Sequence, residues 1–181
     1  MSAYPPGDSR FESKARNAVS IVVRVEYSGR AILLPGDAVG RMDEVPWNQV
    51  IGTEKFLLDN AAARPLQADI LLAPHHGADN ASSQPFIEAV QPSWVIFSAG
   101  ANHAHPKVNT FRRYEEFGVP LAQLLRTDRG DQKGRATEWW GDWDDSCRDG
   151  HGDDGISILI RKDDGAIVVD QDPVHGSAKG C

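Results

Sequence analysis

The feature that most constrains this chain is an ordered alternation between residues 69 and 126. "DILLA" (69–73), "WVIFS" (94–98) and "LAQLLR" (121–126) read as strands, and between them "SQPFIEAV" (83–90) and "KVNTFRRYEEF" (107–117) read as helices. Strand–helix–strand order implies a sheet with helices packed on it. Runs as short and apolar as "DILLA" belong to strands buried in that context, and ligands gather where such strands end.

The flanks extend the pattern. "AVSIVVRVEY" (18–27) and "AILLPGD" (31–37), separated by "SGR", read as a hairpin ending at Asp37, and residues 48–63 read as a helix closed by Pro65. "ISILIRKDDGAIVVDQ" (156–171) reads as a second hairpin with "DDG" as its turn. Residues 1–16, broken by Pro-Pro-Gly, form a flexible lead-in, residues 17–172 one domain, and residues 173–181 a flexible tail. An acidic, irregular loop covers residues 128–155, and no solenoid repeat is present.

With 181 residues, 40% of them hydrophobic, one domain can bury a moderate core without disulfides. Cys147 and Cys181 form neither a disulfide framework nor a Cys-x-x-Cys knuckle. The N-terminus lacks a secretory apolar stretch, and no run reaches the roughly 18 to 20 apolar residues of a membrane span. A soluble, cytoplasmic protein with no membrane partner is expected. Of the net charge of −7, residues 128–172 hold 13 acidic against 6 basic side chains, and the remainder holds 13 of each. A neutral body without a basic stripe gives no support to broad electrostatic binding of a nucleic-acid backbone.

Three polar clusters follow three apolar runs: "PGD" with Asp37, "PHHG" with His75 and His76, and "SAGANHAHP" with Asn102, His103 and His105. In one sheet these could converge on one edge as a metal site, since carboxylate and imidazole are the usual zinc ligands and a catalytic zinc keeps one position for water. A bridging aspartate could also serve two ions. Because successive side chains of a strand point to opposite faces, only one ring of the doublet should enter a given site. Each feature also has an ordinary structural use. Asp37 suits a turn or cap, the doublet suits surface or packing, and His105 before Pro106 suits a helix start. Asp145-x-Cys147-x-Asp149-Gly150 has the rhythm of a calcium loop but ends on Ile156 where a bidentate Glu is required. Trp139, Trp140 and Trp143 suit a loop tucked onto the body, and Cys147 with His151 lacks two further ligands. Neither a Gly-x-Ser-x-Gly elbow nor a phosphate-binding Gly-x-x-x-x-Gly-Lys-Ser/Thr loop occurs, which removes serine hydrolases and P-loop enzymes.

The wording "NAVSIVVRVEYSGRAILLPGD", "ADILLAPHHGADNASSQPFIEAVQPSWVIFSAGANHAHPK" and "LLRTDRGD", over about residues 17–131, resembles the C-terminal half of the metallo-β-lactamase-fold domain of ComEC-type competence proteins. The resemblance implies an α/β fold, half of an αββα sandwich, with a mixed sheet and helices packed on one side. It implies metal ligation by Asp37 and by His76, with His75 held open. It also implies that His105 and Asn102 line the substrate side, with His105 donating a proton or hydrogen bond. The cofactor would be one or two zinc ions, and the reaction metal-dependent hydrolysis of phosphoester or nucleic-acid-type substrates.

The superfamily's His-x-His-x-Asp-His string is absent, and residues before Asn17 leave no room for the half that carries it. The chain is therefore expected to be the second half of a split or truncated enzyme, inactive alone. Its partner would be an N-terminal half-domain polypeptide or a second copy, since half a sandwich exposes an apolar face and an unpaired edge. The alternative is a non-catalytic binding or structural module that keeps this half of the fold.

Overall fold

The computed structural model describes residues 17, 19–41, 46, 48–99, 105–127 and 155–172. A five-stranded mixed sheet forms its centre, with β1 (Val23–Tyr27), β2 (Arg30–Leu34), β3 (Ile70–Leu72), β4 (Trp94–Phe97) and β5 (Leu124–Arg126) in that spatial order. β1 and β2 are antiparallel, while β2, β3, β4 and β5 run parallel. The crossovers pass through α1 (Gly52–Asp59), α2 (Gln84–Val90) and α3 (Val108–Glu116). A separate antiparallel hairpin, β6 (Gly155–Ile160) and β7 (Ile167–Asp172), completes the described chain.

Side-chain alternation divides this sheet into two apolar faces. Leu33, Leu71, Val95 and Leu124 form a row on one face, where Phe86, Ile87 and Val90 of α2 and Phe111 and Tyr114 of α3 close the main core. On the opposite face Ile70, Ile96 and Leu125 are covered by Ile156, Ile158, Ile160, Ile167 and Val169 of the β6–β7 hairpin. Helices thus lie on one side of the mixed sheet and a two-stranded layer on the other, the layered α/β arrangement expected from the strand–helix order. Asp69 accepts hydrogen bonds from the Ala31 N–H (2.8 Å) and the Arg30 guanidinium (2.9 Å), tying the start of β2 to β3. At the same end, the Ser28 hydroxyl donates to the Lys162 carbonyl and Arg30 Nε to the Gly165 carbonyl, tying the β1–β2 turn to the turn of the β6–β7 hairpin.

Among the described residues the hairpin layer covers only part of its face of the sheet. Val23, Val25 and Tyr27 of β1 share their face with Leu34 and Ile32, yet all but Ile32 are exposed. Val19 and Ile21, just before β1, are more exposed still. Among the described residues, an apolar face therefore stays open at the β1 side.

Several boundaries differ from the sequence reading. The strand expected over residues 18–27 begins at Val23, where pairing with Leu34 starts. The helix expected over residues 48–63 is confined to Gly52–Asp59, entered through a left-handed Gly52 (φ +59°). Residues 121–126 divide into a 3-10 turn after Pro120 and the short β5. The lead-in, the tail, Asn102, His103, the Asp145–Gly150 calcium-like run, the three loop tryptophans, His151 and both cysteines lie outside the described residues. No described helix is long and apolar enough to cross a membrane.

Candidate functional site

Parallel strands bring their C-terminal ends to one edge of the sheet, and the three polar clusters arise there. β2 runs into Pro35-Gly36-Asp37, β3 into Pro74–Gly77, and β4 into Ser98. The His75 amide donates to the Gly36 carbonyl at 2.9 Å, binding the first exit to the second.

The doublet is not on an extended strand. β3 ends at Leu72, and His75, His76 and Gly77 all have positive φ (+49°, +57° and +84°). It is this left-handed turn, rather than strand pleating, that sends the two rings in different directions. Left-handed backbone at non-glycine residues costs about 1 to 3 kcal/mol each and persists only where surroundings enforce it. Here the Ala78 amide closes on the His75 carbonyl, and the Lys107 amide donates to the Gly77 carbonyl (2.9 Å each). Gly77 is required twice over, because a Cβ there would lie 2.7 Å from both Phe97 Cδ1 and Pro106 Cβ.

His76 Nδ1 lies 2.6 Å from the Ser98 carbonyl and must donate to it, which leaves Nε2 as the lone-pair nitrogen of the neutral ring. That nitrogen is 3.3 Å from Asp37 Oδ1, with both side chains about half exposed (50% and 43%). A lone pair facing a carboxylate oxygen is favourable only when a proton or a cation lies between them. His75 is turned elsewhere. Its Nδ1 is 2.8 Å from Asn80 Oδ1, and its Nε2 accepts from Asn17 Nδ2 at 3.2 Å, so both nitrogens are engaged. The His75 ring centroid stands 6.5 Å from that of His76 and 5.9 Å, edge-on, from that of His105. Asp37, the doublet and His105 thus occupy one rim. The helix after His105 takes Lys107 as its N-cap, so His105 does not fill the capping role open to it.

The sequence reading did not single out Asn80, Asn17 or the Ser98 carbonyl. Asn80 lies five residues after His75 and was legible in principle as a local partner; Asn17, 58 residues away, left no signal.

Residues 78–83, which carry Asn80, are held from two helices. Glu54 of α1 is fully buried and accepts from the Ser82 amide (2.6 Å), the Ser83 amide (2.9 Å) and the Ser83 hydroxyl (2.5 Å). Arg113 of α3 donates to the Ala81 and Ser82 carbonyls, and the Ser82 hydroxyl pairs with the Tyr114 hydroxyl. Gly40 packs against the Glu54 carboxylate with no room for a Cβ. Burial pushes the Glu54 carboxyl up from 4.5 to about 7, against the hydrogen bonds from Ser83 and Ser82 and the charge of Arg113. Burial also raises the Tyr114 hydroxyl, and with the charge of Arg41 it lowers Arg113 to about 10.

Among the described residues no group of three or more His, Cys, Asp or Glu side chains is arranged to hold a metal ion. A cleft of about 460 Å³ between β1 and α1 is lined by Val22, Arg24, Phe56, Leu57 and Leu66 among others, and none of the rim residues contributes to it.

The class defined so far is an α/β protein with a carboxylate–imidazole pair where its parallel strands end. Over 114 residues, 62% of this chain, the sequence is 31% identical to Competence protein ComA of Neisseria gonorrhoeae. Over 117 residues, 64% of the chain, it is 26% identical to ComE operon protein 3 of Bacillus subtilis (strain 168). These stretches cover only 14% and 13% of the two relatives, so the chain spans a small part of the curated proteins it matches. No family model and no solved structure matches the chain.

Proposed function

We propose that this chain is the C-terminal half of a metal-dependent hydrolase of the metallo-β-lactamase fold, acting on phosphoester bonds of nucleic-acid type in a competence-related role. The similarity to two competence proteins supports the setting. The observation that carries the chemistry is the 3.3 Å separation of Asp37 Oδ1 and His76 Nε2, with His76 Nδ1 held by the Ser98 carbonyl.

The donor set fits part of a zinc site. Two ligands at about 2.05 Å from one tetrahedral ion stand about 3.3 Å apart, the separation found here, and a ligating histidine commonly donates its other N–H to a backbone carbonyl. Asp37 and His76 would hold the ion, while His75, with both nitrogens engaged, would support the rim. Two ligands do not complete a zinc site, so the remaining ones come from outside the described residues, in a half-domain bearing His-x-His-x-Asp-His. When bound, zinc lowers the pKa of a coordinated water enough to supply hydroxide near neutral pH. The chain's own groups orient that chemistry. Ser98 fixes the His76 tautomer, Asp37 offers a second carboxylate oxygen, and His105 can hydrogen-bond or donate a proton at the leaving-group side, with Asn102 three positions before it in sequence.

The second reading, a non-catalytic module, draws on the same count of two ligands. Adding a polypeptide that carries the His-x-His-x-Asp-His half separates the two. With zinc and an activated phosphodiester, the mixture should hydrolyse substrate, and Asp37→Ala or His76→Ala in this chain should abolish it. Binding of the half without hydrolysis would leave the non-catalytic module as the account.

A further inference from the structure

We infer that β1 is a homodimer edge, pairing antiparallel with β1 of a second copy about a two-fold axis through Val25. The inference goes beyond the metal reading and does not depend on it. Among the described strands β1 is terminal in the sheet, so one row of its backbone groups faces away from β2. Tyr27 and Arg30 are paired across the two-residue turn at Ser28 and Gly29, both with positive φ. In such a hairpin the residues flanking the turn are a hydrogen-bonded pair, so by alternation Val23, Val25 and Tyr27 turn their backbone groups to β2. Arg24 and Glu26 turn theirs to the open edge.

An unprotected edge is a template for another strand, and side chains decide which strand and in what register. A second β1 bonded to this edge must pair even-numbered residues with even-numbered ones. If Arg24 faced Arg24 of the second copy, or Glu26 faced Glu26, like charges would lie directly opposite, which is destabilising. The register centred on Val25 places Arg24 opposite Glu26 twice, Val25 opposite Val25, and Val23 opposite Tyr27. Arg24 and Glu26 already form an ion pair with each other on one face of β1, so their charged ends reach one another at strand spacing. Glu26 is 69% exposed, and Val23, Val25 and Tyr27 are each more than 40% exposed. "VRVEY" is therefore self-complementary in charge and in apolar contact when read antiparallel to itself. A second copy satisfies the edge without help from another sequence, and the face over β1 stays available to a facing layer.

The test is sedimentation velocity of the full chain across the micromolar range. The wild type should be dimeric. Arg24→Glu and Glu26→Arg should each raise the dimer dissociation constant by about tenfold or more, and the double variant R24E/E26R, which swaps the charges, should restore it. Far-UV circular dichroism confirms folding, and the exposed Glu26→Arg serves where loss of the Arg24 hydrogen bond to the Gln67 carbonyl perturbs the fold. A wild-type monomer would overturn the inference, as would a dimer indifferent to both single reversals or one that the double variant does not recover.

Discussion

Glu54 of α1 and Ser83 at the entrance to α2 share a 2.5 Å hydrogen bond, and neither residue has solvent-exposed surface. Since Glu54 also receives the Ser82 and Ser83 amides, one carboxyl group fixes the segment that leads from the histidine doublet into α2.

This burial gives stability a distinctive pH dependence. With a folded pKa raised from 4.5 to about 7, Glu54 holds a proton in the folded state that it has lost in the unfolded state between those values. Its contribution is full below about pH 4.5 and is lost as pH rises toward about 7, a decline of about 3 kcal/mol. Asp69 acts oppositely. Partial burial raises its pKa, but the hydrogen bonds from the Ala31 amide and Arg30 outweigh that and hold it below the ordinary range. Its stabilisation is present above its unfolded pKa and disappears as pH falls through the folded one. Urea titrations from pH 4 to 8 should show stability falling with pH, and Glu54→Gln should remove most of that slope. A Gln variant with an unchanged slope would assign it to another group.

Gly77 sits where φ is +84° and Phe97 and Pro106 close in. Gly77→Ala should destabilise the fold by about 2 to 4 kcal/mol through left-handed strain and overpacking together. Thermal and urea unfolding measure it, and a loss under 1 kcal/mol would mean that Phe97 and Pro106 yield more readily than their packing implies.

The bond that His75 Nδ1 donates to Asn80 Oδ1 fixes a tautomer. In the wild type His75 should carry its proton on Nδ1, visible in the 15N shifts of the ring. Asn80→Ala should redistribute that proton and cost about 1 to 2 kcal/mol, while His76, anchored on Ser98, keeps its own tautomer. A simultaneous change in both rings would show that the two anchors are not independent.

Much of the sheet was legible because burial on both faces leaves a direct trace. "ILL" and "WVIF" carry continuous apolar runs, and "VRVEY", at the edge, alternates. The "DDG" turn likewise marked the β6–β7 hairpin. The conformation of the doublet was not legible. Local pattern extends β3 toward His75, but contacts with Gly36, Lys107 and Phe97, all distant in sequence, impose a left-handed turn. That Asp37 and His76 meet follows from parallel pairing of β2 with β3, which strand order suggested but could not orient at the level of atoms. Glu54 and Arg113 carried no motif, because their role depends on two helices flanking one loop.

The central claim is that Asp37 and His76 share a cation. Equilibrium dialysis of the full chain against increasing zinc tests it most directly. The account predicts weak, saturable binding approaching one zinc per chain, lost in both Asp37→Ala and His76→Ala and retained in His75→Gln. A wild type that takes up no zinc, or zinc retained by both Asp37→Ala and His76→Ala, would contradict it.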